Sequence, residues 1–331
     1  MKKLFLSLFA LAAATMSYAQ SNLVATLSHE GEISVFHGSN SLRDAMAAAD
    51  HGDIITLASG RYNSVNITKA ITLRGAGTEA DDTSTGASRT EIVGNFDINI
   101  PSTEKHLIIE GIYHDGAIYT YNTLNNPMLQ KCRFKSIYYN HPNVDKVYSL
   151  TCINCRITGV ISLPKYTNSS AKFINCVVTS PQSSENGRNG SMEFTNCMIL
   201  GSVANIWQSY FQNCILNVSD KLPNTNMATY CAGYTSDSAG SPFANLTTQA
   251  TNKVLTQEQL NSLFKPDTNY ELTDEAKAEY VGIDEKEMGI YGGNLPWDVY
   301  IPSPRITKCN VAAKTTADGK LSVDIEVKAA E

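Results

Sequence analysis

The feature that most constrains this chain is a phrase that returns. "KFINCVVTS" (Lys172 to Ser180) has near copies in "TCINCRITG", "MEFTNCMIL" and "YFQNCILNV", so an Asn-Cys pair recurs at Asn154, Asn175, Asn196 and Asn213 with spacings of 21, 21 and 17 residues. The same register extends upstream to Lys131, Gly111 and Gly75. Six of these seven anchors are Gly or Asn, the residues that tolerate a left-handed backbone, so the column reads as a sharp turn, with Lys131 the exception.

Two residues before the anchor stand Leu73, Ile109, Leu129, Cys152, Phe173, Phe194 and Phe211; four before it stand Ile71, Leu107, Pro127, Leu150, Ala171, Met192 and Ser209. Both columns are mostly apolar, and the column between them is mixed, which gives the period of two that marks a strand with one buried face. After the anchor, Ile112, Cys132, Cys155, Cys176, Cys197 and Cys214 continue the inward pattern at the next position. His114, Phe134, Ile157, Val178, Ile199 and Leu216 continue it two residues further on. Strand, turn, strand at this repeat length is one coil of a parallel β-solenoid. The outward position between those two columns changes character, from Tyr113, Arg133 and Arg156 to Val177, Met198 and Ile215. An apolar stripe of that kind is normally covered, and the C-terminal segment is the expected cover.

The phrase "DHGDIITLASGRYNSVNITKAITLRGAG" (Asp50 to Gly77) resembles the opening of right-handed parallel β-helix proteins of the pectin-lyase-like superfamily. The closing "EMGIYGGNLPW" (Glu287 to Trp297), with the strands that follow, resembles the end of secreted β-helix proteins of Bacteroidetes-type bacteria. The resemblance implies an all-β, right-handed parallel β-helix with a short N-terminal capping helix and a C-terminal covering segment.

Four divisions follow. Residues 1–19 read as a signal peptide, with Lys2 and Lys3 before an apolar run and a small-x-small site ending at Ala19. Residues 20–52 read as a hairpin and a helix capped by Ser41 with Asp44 completing a capping box, 53–252 as the β-helix, and 253–331 as a cap and strand extension. A second short helix is expected from Thr256, with Gln259 in its capping box. "DSA" at Asp237 to Ala239 resembles an O-glycosylation acceptor of Bacteroidetes.

The expected location is extracellular, cell-surface or periplasmic, and no stretch is long and apolar enough to span a bilayer as a helix. Without Lys2 and Lys3 the 26 basic residues become 24 against 32 acidic ones, a formal charge of −8, which argues against nucleic acid as a partner. No cofactor motif is present.

"CINC" (Cys152 to Cys155) has the C-x-x-C spacing of redox and zinc sites, but both cysteines fall on inward columns, so packed core thiols are expected and no metal site is assigned. Cys231 and Cys309 stand outside the thiol column and are the candidates for a disulfide. The acidic pair Asp81 and Asp82 sits in a Gly/Ser/Thr-rich loop and reads as a solvated turn.

For function, the resemblance implies two classes. Lyases of this fold use a basic residue to abstract the proton beside a uronate carboxyl while cations neutralise it, which makes Lys135 or His114 the candidate base and Arg133 and Arg156 the neutralising pair. The Asp, Arg-Pro and Asp-His signatures of the superfamily's hydrolases and lyases are absent, so recognition of extracellular polysaccharide without a catalytic set is the leading expectation. The candidate ligand-binding residues are Tyr113, Arg133, Tyr138, Tyr139, His141 and Arg156, because aromatic faces stack on sugar rings and guanidinium forks hold carboxylate or sulfate. A structural surface or adhesion protein is the third reading.

Overall fold

The computed structural model describes residues 23–79, 89–101, 105–121, 126–139, 149–162, 169–182, 191–237, 240–247, 250–299, 301, 305–311 and 323–328. The expected signal peptide, Asp81, Asp82 and His141 lie outside them. Two long sheets of 11 and 12 strands run along the molecule and wind into a parallel β-solenoid of about seven turns. Each coil contributes one short strand to each sheet, as Ser170–Ile174 and Val177–Thr179 do around Asn175.

The inward column of the first sheet runs in unbroken register through Ile55, Leu73, Ile109, Leu129, Cys152, Phe173, Phe194, Phe211 and Ala228. All nine are buried. Strand spacing brings the three phenylalanine rings into a face-to-face stack, with centroids 4.9 and 4.8 Å apart.

The anchor column behaves as a turn whatever residue fills it. Asn154, Asn175, Asn196 and Asn213 have φ between 50° and 53°, and Lys131 adopts φ 50° although its chemistry does not favour it. The column also continues one coil further than the expected fading of the repeat past Asn217: Tyr230 has φ 51° and stands between the strands Met227–Thr229 and Ala232–Thr235. Gly75 departs from the expectation in the other direction. It does not take positive φ; glycine is required there because a Cβ would collide with the Gly111 carbonyl.

The thiols form a hydrogen-bonded ladder at this corner. The Cys155 amide donates to Cys176 Sγ at 3.5 Å, the Cys176 amide to Cys197 Sγ at 3.5 Å, and the Cys197 amide to Cys214 Sγ at 3.4 Å. Each thiol in turn donates to carbonyls of its own coil and the one before it, as Cys197 Sγ does to Thr195 O (3.3 Å) and Phe173 O (3.2 Å). A thiol thus supplies an acceptor to the buried amide of the preceding coil, which the tight turn leaves without a carbonyl partner and which an alanine could not serve. Burial pushes the Cys155 and Cys197 thiols well above their ordinary range, in keeping with their role as protonated donors. Both cysteines of "CINC" are buried and free. Cys231 is not outside the column as expected: it follows Tyr230, lies next to Cys214 and is a free buried thiol. Cys309 lies on the strand Arg305–Val311, which pairs antiparallel with Val323–Lys328.

The N-terminal end is built from strands β1 (Val24–His29) and β2 (Glu32–His37), an antiparallel hairpin turning at Glu30 and Gly31, with β1 laid antiparallel on β3 (Ile54–Leu57), the first strand of the stack. The helix Ser41–Ala48 buries Leu42, Ala45 and Met46 against this end. Its start corrects the expected capping box. Asn40 is the N-terminal flanking residue, no side chain caps the helix, and Ser41 is a helical residue whose hydroxyl is buried without a partner, while Asp44 bonds Arg43. The helix Gln257–Ser262 has the predicted box: Thr256 Oγ1 accepts from the Gln259 amide and Gln259 returns a bond to the Thr256 amide. A further helix, Asp274–Glu279, starts behind Thr273.

The C-terminal stretch then runs back along the turn column. The Asn213 carboxamide bonds the Ile283 amide and Asp284, Asn175 Nδ2 donates to the carbonyls of Ile290 (2.7 Å) and Gly292 (2.8 Å), Asn154 Nδ2 reaches Pro296 O, and Lys131 Nζ pairs with Asp298 at 2.7 Å. Gly293 packs so closely on the Asn196 carboxamide that no Cβ fits. The asparagines therefore do two jobs: their backbones make the turn and their side chains hold a strap across successive coils.

Candidate functional site

One outward column of the second sheet passes in register through Arg61, Glu91, Tyr113, Arg133, Arg156, Val177, Met198, Ile215, Ala232 and Lys253. The stretch from Val177 to Ala232 is buried together with Leu255, Leu260, Leu263, Leu272, Met288 and Ile290 of the C-terminal segment. The earlier half stays at the surface.

There, Glu91 takes two arginines, Arg89 at 2.9 Å and Arg61 at 3.6 Å. The Tyr113 ring has two guanidinium groups near it, Arg89 at 3.7 Å and Arg133 at 5.3 Å from its centroid. Arg133 and Arg156 are opposite one another on adjacent strands, as their shared column predicts. Neither has a carboxylate partner among the described residues; Arg156 instead donates to the neutral Asn269 side chain at the margin of the C-terminal cover. Lys135 is exposed beside them, likewise without a carboxylate partner among the described residues.

Lys135 stands where the register slips. Asp115 and Gly116 of the strand Tyr113–Thr120 face the single Lys135 of Arg133–Tyr139, and the next coil spends Thr158, Gly159 and Val160 on the same corner. Such bulges bend the sheet and re-aim side chains outward, and Asp115, Lys135 and Thr158 are all exposed there. Gly159 is required at this corner, since a Cβ would come within 2.8 Å of the Lys135 carbonyl.

Beyond the bulge the second outward column is Asp97, Tyr119, Tyr138 and Ser162. Tyr119 and Tyr138 stack at 5.5 Å with their planes 23° apart, beside the small Ser162. The Tyr121 hydroxyl reaches Asp97 at 3.5 Å. Five residues of strand separate Arg133 from Tyr138, at most about 16 Å at ordinary strand rise, so the cation pair and the tyrosine shelf are two patches on either side of the bulge. An extended chain spans them and a single sugar does not.

His114 is corrected as a candidate base. It fills the inward column, only 3 % exposed, with Nδ1 2.9 Å from the Ile92 carbonyl, Nε2 3.2 Å from the Ala117 carbonyl, and its ring edge-on to Phe96. A ring so enclosed has no access to a substrate proton. Its place in the sequence alternation already marked it as inward, and that signal outranks its chemistry. Tyr139 is opposite Thr120 in the ladder, one position out of phase with Tyr138. His141 lies outside the described residues.

The arrangement can hold an anion between paired guanidinium groups and stack a ring on tyrosine. Among the described residues no set of three metal-ligating side chains converges, and no helix is long and apolar enough to cross a membrane. Comparison of the chain with protein families, with curated proteins and with solved structures finds no match in any of the three.

Proposed function

We propose that this is an exported protein that recognises an acidic polysaccharide on the outward face of its early coils, a right-handed β-helix of the pectin-lyase-like kind without a catalytic set. The observation that carries the reading is charge without compensation. Three cations on neighbouring strands, Arg133, Arg156 and Lys135, have no carboxylate partner among the described residues, while Arg61 and Arg89 nearby share Glu91. In a protein of net negative charge, such a cluster beside stacked tyrosines fits a ligand that brings carboxylate or sulfate groups along with sugar rings.

The test is binding to a panel of uronate, sulfated and neutral polysaccharides. Uronate or sulfated chains are expected to bind, more weakly as salt is raised. Replacing both Arg133 and Arg156 by Ala should weaken binding roughly a hundredfold or more, at about 1.5 to 3 kcal/mol for each charge-assisted contact. No ultraviolet-absorbing unsaturated uronate should accumulate. Equal binding of the double variant, or preference for neutral glycans, refutes the reading; accumulation of unsaturated product assigns lyase chemistry with Lys135 as the exposed base.

A further inference from the structure

The end of the solenoid at β2 carries a second surface. Ile33 is 71 % exposed, the most of any large apolar side chain among the described residues, and Val35 (50 %) and Ile54 (38 %) are exposed beside it. They are neighbours. Ile33 is opposite Ser28, which is opposite Ile54, and Val35 is opposite Thr26, so all three lie on the outward face of one sheet corner.

β2 is also the terminal strand of its sheet, and its outer edge is unpaired among the described residues. Edge strands are ordinarily protected by Lys, Pro, a bulge or a cover. "EISVFH" has no Lys, Arg or Pro, and its six pairs with β1 run without a register shift. The opposite end of the same sheet is treated differently: at Met227–Thr229 the Asn252 carboxamide caps the Ala228 carbonyl at 2.8 Å and the Thr251 hydroxyl takes the Tyr230 amide. Two backbone groups at that edge thus have side-chain partners from the chain itself, whereas the outer edge of β2 has none among the described residues.

We infer that β2 is a homodimer interface, pairing antiparallel with β2 of a second copy about a twofold axis through Ser34. The occupant follows from self-complementarity. A twofold axis perpendicular to the sheet keeps outward side chains outward, and centring it on Ser34 sets Ile33 opposite the partner's Val35 twice over. Four β-branched side chains then form one cross-strand cluster, which is the pairing an exposed edge most gains from. Centring on Val35 would instead set Ile33 against the partner's His37 and lose that cluster. One six-residue strand per copy makes a small interface, so the dimer belongs to the weak, concentration-dependent class.

Sedimentation of the mature chain over a concentration series is the test. The wild type should move from monomer toward twice that mass as concentration rises, and Ile33→Lys plus Val35→Lys should remain monomeric throughout. Both side chains are solvent-exposed, so the variant should keep the wild-type melting temperature. In addition, Ser34→Cys should give a disulfide-linked dimer under mild oxidant, because the twofold brings the two sulfurs together, while Ser39→Cys should not. A wild type that is monomeric at every concentration overturns the inference, as does a dimer indifferent to the two lysines. Protection from hydrogen exchange in a monomer of the Ile33, Val35 and His37 amides, which point away from β1, would also overturn it, by showing that the chain itself covers the edge.

Discussion

The early and late halves of the outward column from Tyr113 to Ala232 share a backbone, a register and a neighbouring turn, yet one half faces solvent and the other lies beneath the C-terminal segment. Side-chain chemistry decides the difference. Covering Val177, Met198 and Ile215 gains about 1.5 to 3 kcal/mol for each side chain. Covering Arg133 or Arg156 would remove a guanidinium from water with no carboxylate to receive it, at a penalty of several kcal/mol. The boundary between the halves therefore falls between Arg156 and Val177, and Asn269 marks it by touching Arg156 from the edge of the cover. A solenoid can thus carry a structural surface and a recognition surface on one stripe.

The most damaging way to break this comparison is to put an early residue in the late half. Ile215→Lys would bury an ammonium among Met198, Met288 and their neighbours and should lower stability by about 4 kcal/mol or more. Thermal unfolding should fall by roughly 10 °C. An unchanged melt would mean that the C-terminal segment does not hold the stripe.

The strap is tested next, at Asn175. Asn175→Ala removes two bonds to the strap carbonyls and puts a Cβ-bearing residue at φ 50° without the local help a carboxamide gives, and about 2 to 4 kcal/mol of destabilisation is expected. Asn175→Gly keeps the turn and loses only the bonds, so its loss should be the smaller of the two. If the two variants melt together, the left-handed turn contributes nothing and the strap contributes everything.

In the early half the same size of change should barely register in stability. Arg133→Ala with Arg156→Ala is expected to shift folding by less than about 1 kcal/mol, since neither guanidinium has an ion-pair partner to lose, while weakening polysaccharide binding as described. A large loss of stability would place these arginines in the architecture and remove them from recognition.

What the residues disclosed follows the same division. Inward columns were legible because burial imposes one requirement on every coil, and the period of two recurs with the phenylalanines and cysteines in phase. Even His114 obeyed its column. The turn column was legible where Asn or Gly filled it and opaque at Tyr230, although Cys231, 17 residues past Cys214 as Cys214 is past Cys197, carried the missing signal. The capping box at Thr256 was readable because both partners are local, whereas that at Ser41 failed because tertiary packing buried the hydroxyl. The outward face was legible as chemistry and not as geometry. Arg133 and Arg156 were placed side by side by register alone, but the bulges that lift Lys135 depend on which coil gains a residue, and the strap on the asparagines depends on contacts 70 to 142 residues apart in sequence.

The smallest expected effect lies outside this column, at the N-terminal end of the other sheet. His29 of β1 meets the nearly buried Asp53 carboxylate at 2.9 Å, and that same carboxylate receives the Asp50 amide, so the pair ties the hairpin to the first coil. The hydrogen bond and the charge of Asp53 raise the His29 pKa above its ordinary 6.5. A histidine whose folded pKa is raised binds its proton more tightly in the folded state. Its contribution is fully present below pH 6.5 and disappears as pH rises through the higher folded value. The imidazole is half exposed, so solvent screening keeps the gain small. The measurement is unfolding by denaturant across the neutral range: the wild type should lose stability on going to alkaline pH, and His29→Gln should lose that dependence while retaining the strands around it. A slope of the same size in the variant would transfer the effect to another group and leave the first coil held by β-pairing alone.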